Sequence, residues 1–415
     1  MSLAVDEFVY DPFGREEMRN PLPFYEVLRE HHPVYYVEGY DTYFLSRFQD
    51  AWDFLDMAGN TFVTNEGSVF NRSVLLERND GATADPPTTP FFASHLNYGA
   101  PVYEQVRQAH TKQLRPGGAR KLEPFIRDLV RGRLDQLVPS GRFDLVHEFG
   151  GLISVSTMCY LFHIPLDQAR EVLDTINAVT ATDESGTGFI RDQQMQLKML
   201  DYVQAQVTAR REQGPDGSWN LVDGMFDLRV DGRELSDLEI AANLTCVLVG
   251  GTETLPKVIG HGLWELALHP EQLAAVRSDL AGNAAAAAEE MNRFCGPAQW
   301  FGRTARVETI VAGQVVRPGQ RVVYLTQSAN RDPREFTEPD RFVWNRPIPR
   351  TLAFGRGQHF CVGVHVARLE ERIILEEFLS RVTDYEIVAD DAVRRPSSFQ
   401  WGYGHLPVIV KGVAA

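Results

Sequence analysis

Cysteine is scarce: 415 residues hold four, Cys159, Cys246, Cys295 and Cys361, and no two form a C-x-x-C pair. That spacing argues against a secreted disulfide framework and fits a reducing compartment. Basic charge is also short. Lys and Arg number 41 against 56 Asp and Glu, a net charge of -15, so the footprint that attracts nucleic-acid phosphates is missing. No uninterrupted apolar run reaches the roughly 18 residues of a membrane span. Met1 to Tyr10 holds neither an apolar signal core nor a basic leader. No 20–50-residue repeat and no Pro/Ser-rich linker divides the chain. What is present is ordinary globular composition, 44% hydrophobic and 23% charged, ample for a large core. The expectation is one unit over residues 1–415, soluble, cytoplasmic and monomeric.

Helical spacing of apolar residues dominates. Residues 22–32 and most of 103–212 read as helix, and 33–45 as short strands. Residues 60–102 are irregular, broken by Asp85-Pro86-Pro87 and Pro90. Ser236-Asp237-Leu238-Glu239 is a capping-box sequence opening a helix that runs to His269, about 50 Å at 1.5 Å per residue. Helix continues over 271–296, with Asn283 as a candidate N-cap for the alanine run 284–288. Residues 306–325 alternate around Gly313 and Pro318-Gly319, as hairpins do. Together with 30–60 they form a β-containing lobe. The fold class expected is mainly α with small β-sheets.

Phe354-Gly355-Arg356-Gly357-Gln358-His359-Phe360-Cys361-Val362-Gly363 is a glycine-rich loop at a helix start. A lone buried cysteine is more often structural than a ligand. A helix N-terminus, however, offers unpaired N–H groups and partial positive charge, and both favour a thiolate. Gly357 and Gly363 suit close approach to a flat ligand. Phe354 offers an aromatic wall.

In the long helix, Gly250-Gly251-Thr252-Glu253-Thr254-Leu255-Pro256 also stands out. Paired glycines mid-helix cost about 1 kcal/mol each. The Thr254 hydroxyl can bond the Gly250 carbonyl, and Pro256 has no N–H for the Thr252 carbonyl. A kink is expected there. Glu290 and Arg293, three apart, share a helix face.

The cysteine loop resembles the haem-binding signature of the cytochrome P-450 superfamily, Phe-x-x-Gly-x-x-x-Cys-x-Gly, at every fixed position. The Glu253-Thr254 stretch resembles its oxygen-binding motif, and Glu290-x-x-Arg293 its buried pair. The resemblance covers roughly residues 100–405. It implies a single-domain haem-thiolate fold with a long, kinked central helix and non-covalent haem b; no C-x-x-C-H exists for covalent attachment. Cys361 would be the axial ligand of the iron, in a loop shaped by Phe354, Gly355 and Gly363. Arg303, His359, Arg107 and Tyr103 would face the haem carboxylates, Tyr103 standing where many relatives carry His. Gly250 and Gly251 would lie over the haem. Glu253 and Thr254 would deliver protons to bound O2, which serves as co-substrate. Arg341 would join the Glu290–Arg293 pair.

The resemblance further implies a mono-oxygenase acting on an apolar small molecule. Electrons would come from NAD(P)H through a ferredoxin- or flavodoxin-type donor and its reductase. Arg356, Lys112, Arg115 and Arg120 are candidates for the donor's face. Phe91, Phe92, Val247, Ala298, Trp300, Phe301, Phe399 and Trp401 are substrate candidates, with Gln299 and Gln400 to orient a polar group. Ordinary core packing is the plainer account of any one of them. The alternatives are a peroxide-driven or rearranging haem-thiolate enzyme, and a non-catalytic haem sensor or electron carrier.

Overall fold

The computed structural model describes residues 8–57, 59, 61–64, 66–77, 102–180, 193–230 and 232–414. Phe91, Phe92 and Asp85 to Pro87 lie outside them. Its longer helices are α1 (Leu22–His31), α2 (Phe48–Asp56), α3 (Val102–Leu114), α4 (Glu123–Leu137), α5 (Gly151–Phe162), α6 (Ala169–Val179), α7 (Gln193–Gln213), α8 (Asp237–Glu253), α9 (Leu255–Leu268), α10 (Pro270–Ser278), α11 (Leu280–Cys295) and α12 (Val364–Arg381). Apolar faces of α4, α5, α8, α9, α11 and α12 merge into the largest hydrophobic core.

A five-stranded sheet flanks this helical mass. Its order is β1 (Val34–Val37), β2 (Thr42–Leu45), β4 (Arg321–Leu325), β3 (Trp300–Ala305), then the short strand Phe62–Val63 at the edge. Only the β2–β4 pairing is parallel. The sheet draws on both expected stretches, 30–60 and 306–325, and adds 300–305, where Trp300 and Phe301 are substrate candidates and Arg303 a candidate for the haem carboxylates. Thr309–Val311 and Gln314–Val316 form the expected hairpin, with Ala312 and Gly313 in the left-handed region.

The capping box is present: Ser236 accepts from the Glu239 N–H while the Glu239 side chain accepts from the Ser236 N–H. Asn283 is not an N-cap. Asp279 fills that role, accepting from the Gly282 N–H at 3.1 Å. A carboxylate three residues upstream of that N–H captures it first. Asn283, inside α11, donates instead to the Ala275 carbonyl of α10. The stretch Leu145–Phe162 has the length and apolarity of a membrane span, yet 83% of it is buried inside the molecule, as a core helix would be.

Candidate active site

The central helix breaks at Thr254, between α8 and α9. Three carbonyls there are satisfied from outside the helical ladder. The Thr254 hydroxyl donates to Gly250 O at 3.2 Å. The carbonyl of Thr252, which Pro256 cannot serve, accepts from the Ser154 hydroxyl of α5 at 2.9 Å. Lys257 Nζ donates to Glu253 O at 2.8 Å. Gly150 lets α5 come this close, since a Cβ there would lie 2.9 Å from Pro256 Cα. The proline therefore makes the bend a fixed feature.

The two glycines divide their work. A Cβ on Gly251 would strike Met158 Sδ of α5 at 2.4 Å, whereas Gly250 has nothing within 4 Å of its Cβ position. Gly251 serves helix packing; Gly250 alone borders open space, which corrects the placement of both over the haem. Glu253 is buried at 5% exposure, its Oε1 accepting from the Thr180 hydroxyl at 2.7 Å and its Oε2 paired with Lys257 at 2.5 Å. Ser154, Thr180 and Lys257 carried no signal in the sequence, because two are distant in the chain and the third is an unremarked i,i+4 lysine.

In the cysteine loop, Gly355 and Gly357 take positive φ, +68° and +70°, conformations open to glycine at no steric cost. The Cys361 N–H closes the turn on Phe354 O at 2.9 Å. Burial pushes the Cys361 thiol up, while the N–H groups of Gly363 and Val364 at the start of α12 pull it down, as do the Arg107 and Arg368 charges. Phe354 lies beneath the Arg368 guanidinium, 5.2 Å from the ring centre. Gly357 approaches backbone, not a ligand: a Cβ there would sit 2.8 Å from Leu55 O. At Gly363 the nearest atom to a Cβ would be Cys361 Sγ, at 4.0 Å, an ordinary contact distance.

Beside this loop, hydrogen-bond donors gather with no carboxylate against them among the described residues. Arg303 is 3% exposed and its Nη1 has no hydrogen-bond partner among the described residues; nor has His359 Nδ1. Burial, then the Arg303 and Arg107 charges, push His359 down to about 3. Arg107 donates to Tyr103 Oη at 2.9 Å and to the Phe360 carbonyl. Tyr103 Oη donates to Gln358 O at 2.6 Å, its ring 4.4 Å from that of His359. The phenol proton expected to face a carboxylate is therefore spent on the loop. The two unpartnered buried donors, Arg303 Nη1 and His359 Nδ1, suit a ligand bearing carboxylates. With a sulfur at a helix start nearby, the residues fit haem.

The Glu290–Arg293 pair is fully buried, with contacts of 2.7 Å. Its third member is Arg346, whose Nε lies 3.2 Å from both Glu290 oxygens. Arg341 points into solvent against Glu338 and gives only its carbonyl, accepting from Arg346 at 2.8 Å. This corrects the expectation of Arg341. The turn at 341–346 folds back, so the residue five positions later reaches the pair.

Several substrate candidates have other work. Trp300 is fully buried, its indole N–H bonded to Ser398 O at 2.6 Å. Gln299 is buried between Tyr25 Oη and Ser397 O. Trp401 lies under Arg394 at 4.0 Å, beside His261. Burial made internal partners obligatory for the polar atoms of Trp300 and Gln299, while Trp401 Nε1 has none among the described residues. Gln400 lines a polar pocket on the Glu253 side. Phe301 and Phe399 meet edge to face at 5.3 Å, Ala298 bridges Gln400, and Val247 lies one turn before Gly250. On the surface, Lys112, Arg115 and Arg120 are exposed, whereas Arg356 is tied to Asp56 at 2.6 Å and covers Trp52 at 3.7 Å.

A family model described as cytochrome P450 matches residues 189–399. The chain is 30% identical to the putative cytochrome P450 123 of Mycobacterium tuberculosis over 98% of both chains. It is 26% identical to the methyl-branched lipid omega-hydroxylase of that organism, over 98% of this chain and 92% of the relative. Among solved structures, a mutant of P450 EryK in complex with erythromycin B superposes with a TM-score of 0.82, at 26% identity over 96% and 98% of the two chains. The chain belongs to the cytochrome P450 family and is a mono-oxygenase of that family.

Proposed function

We propose that this protein binds haem b non-covalently through Cys361, with Arg303 and His359 holding the carboxylates, and oxygenates an apolar substrate of small to medium size. The observation that carries this is the set of anion-less buried donors, Arg303 Nη1 and His359 Nδ1, beside a cysteine at a helix start. When bound, the haem iron supplies reductive activation of O2, one atom entering the substrate and the other leaving as water. The chain's residues do the rest. Gly363 and Val364 N–H groups support the negative sulfur. Arg107 and Tyr103 brace the loop. Thr254 offers its hydroxyl on the face where Gly250 leaves space, and Glu253 passes protons toward it. Val247, Ala298, Phe301 and Phe399 would supply an apolar wall.

A ferredoxin- or flavodoxin-type donor would dock on the side of α3, the helix that touches the cysteine loop and carries exposed Lys112 at its end; Arg115 and Arg120 follow. The net charge of -15 favours a monomer with no nucleic-acid partner, and the four widely spaced cysteines fit the cytoplasm. One relative is named a methyl-branched lipid omega-hydroxylase, which supports an apolar substrate. Retention of both Glu253 and Thr254 favours O2 over peroxide as oxidant.

The test is Thr254→Ala in the haem-loaded enzyme, with a substrate chosen by spin-state shift. NAD(P)H consumption should continue while product per electron falls severalfold and released peroxide rises. Unchanged coupling would refute the role of Thr254. Full turnover with peroxide alone would favour the peroxide-driven alternative.

A further inference from the structure

Strand β4 pairs antiparallel with β3, in a register that sets Val322 against Arg303 and Tyr324 against Phe301. Opposed residues of such a pair share a sheet face, as do residues two apart on one strand. Phe301, Arg303, Val322 and Tyr324 therefore project to one side. Arg321 turns the other way, to Glu66 at 2.7 Å. Phe54 of α2 packs on the first side, its ring 6.1 Å from that of Tyr324 and 5.7 Å from the Arg303 guanidinium carbon. The Phe301 ring lies 6.0 Å from Tyr324.

The hydroxyl end of Tyr324 reaches the cysteine loop. A Cβ built on Gly355 would lie 3.8 Å from Tyr324 Oη and 4.0 Å from the His359 carbonyl oxygen. The hydroxyl thus ends beside the loop where Arg303 Nη1 and His359 Nδ1 stand without partners. Tyr324 is 6% exposed, and its hydroxyl has no hydrogen-bond partner among the described residues. Buried phenols ordinarily find one. Burial pushes this phenol up to about 12, against the pull of the Arg303 charge, so it keeps its proton and can donate it. A phenylalanine would fill the same place between Phe54 and Phe301, so packing accounts for the ring and not for the hydroxyl.

We propose that Tyr324 holds haem, its hydroxyl donating to a haem carboxylate as a third donor beside Arg303 and His359. It fills the part that Tyr103, whose hydroxyl donates to Gln358 O, leaves open. A hydroxyl on a carboxylate makes a charge-assisted bond, stronger than one to a neutral acceptor. The inference rests on the reading of this edge as the haem-carboxylate site.

The experiment follows haem transfer to excess apomyoglobin from the haem-loaded parent, Tyr324→Phe and Arg303→Gln. Tyr324→Phe should lose haem about tenfold faster, the low end for a hydrogen bond to a charged group. With haem dimethyl ester, whose carboxylates are uncharged, parent and Tyr324→Phe should agree within about twofold. If the apoprotein does not take up the ester, the resonance Raman propionate-bending band of the haem-loaded proteins decides, shifting in Tyr324→Phe if the bond exists and staying if it does not. Loss of native haem within about twofold of the parent would overturn the role of Tyr324. So would faster loss that persists undiminished with the ester, the mark of a packing role. Arg303→Gln should also lose haem faster; retention equal to the parent's would overturn the reading of the site itself.

Discussion

Glu290 has no exposed surface and four donors: Arg293 through two nitrogens, Arg346, and the Val343 N–H. A carboxylate so enclosed is tolerated only while its cations stay. Arg346→Met should therefore destabilise the protein by about 3 kcal/mol, the low end for breaking a buried pair because Arg293 remains. Arg341→Met, at a solvent-exposed pair, should change stability by less than about 0.5 kcal/mol. Urea unfolding of both, read with haem retention, checks this; equal losses would contradict the assignment of Arg346. The same logic explains why sequence reading chose the wrong arginine. Spacing places a residue near a pair, but whether its side chain turns inward depends on the path of an irregular segment.

Among elements, α12 is the one whose chemistry the sequence concealed. It begins at the cysteine loop and presents Glu370 and Glu371 to the interior, at 3% and 1% exposure. Glu371 accepts from Asn292 of α11 at 2.6 Å, and one Glu370 oxygen has no partner among the described residues. Burial pushes Glu370 up to about 8. Folded protein therefore binds a proton there that unfolded chain has released once pH passes the usual carboxylate range. Its stabilising effect is complete below that range and fades as pH rises toward 8, on the order of several kcal/mol in all. Glu370→Gln should flatten the fall in stability between about pH 5 and pH 8, measured by urea midpoints across that window. A slope identical to the parent's would show that this carboxyl is not protonated in the fold.

The central helix was more legible. Its capping box, its glycines and its proline are all local signals, and local signals survive translation from sequence to structure. The Ser154 hydroxyl that covers the Thr252 carbonyl is 98 residues away in the chain, so only the folded molecule reveals it.

At the scale of the molecule, the helical mass, the hairpin and the strands near the N-terminus were readable from periodicity and turn residues. Strand 300–305 was not, because Trp300 to Ala305 mixes Gly, Arg and Thr with aromatics and lacks clean alternation. The cysteine loop was readable because its constraint is local: two positive-φ glycines and a sulfur at a helix start. The lysine behind Glu253 and the buried acids of α12 were not, since an i,i+4 pair or a Glu-Glu doublet usually faces water. The whole account turns on the sulfur at position 361, and the reduced-CO difference spectrum of purified protein tests it most directly. With haem supplied, the parent should show the red-shifted band of a thiolate-ligated iron, and Cys361→Ser should lose it. A colourless parent, or a Cys361→Ser variant with the parent's Soret band, would contradict the account.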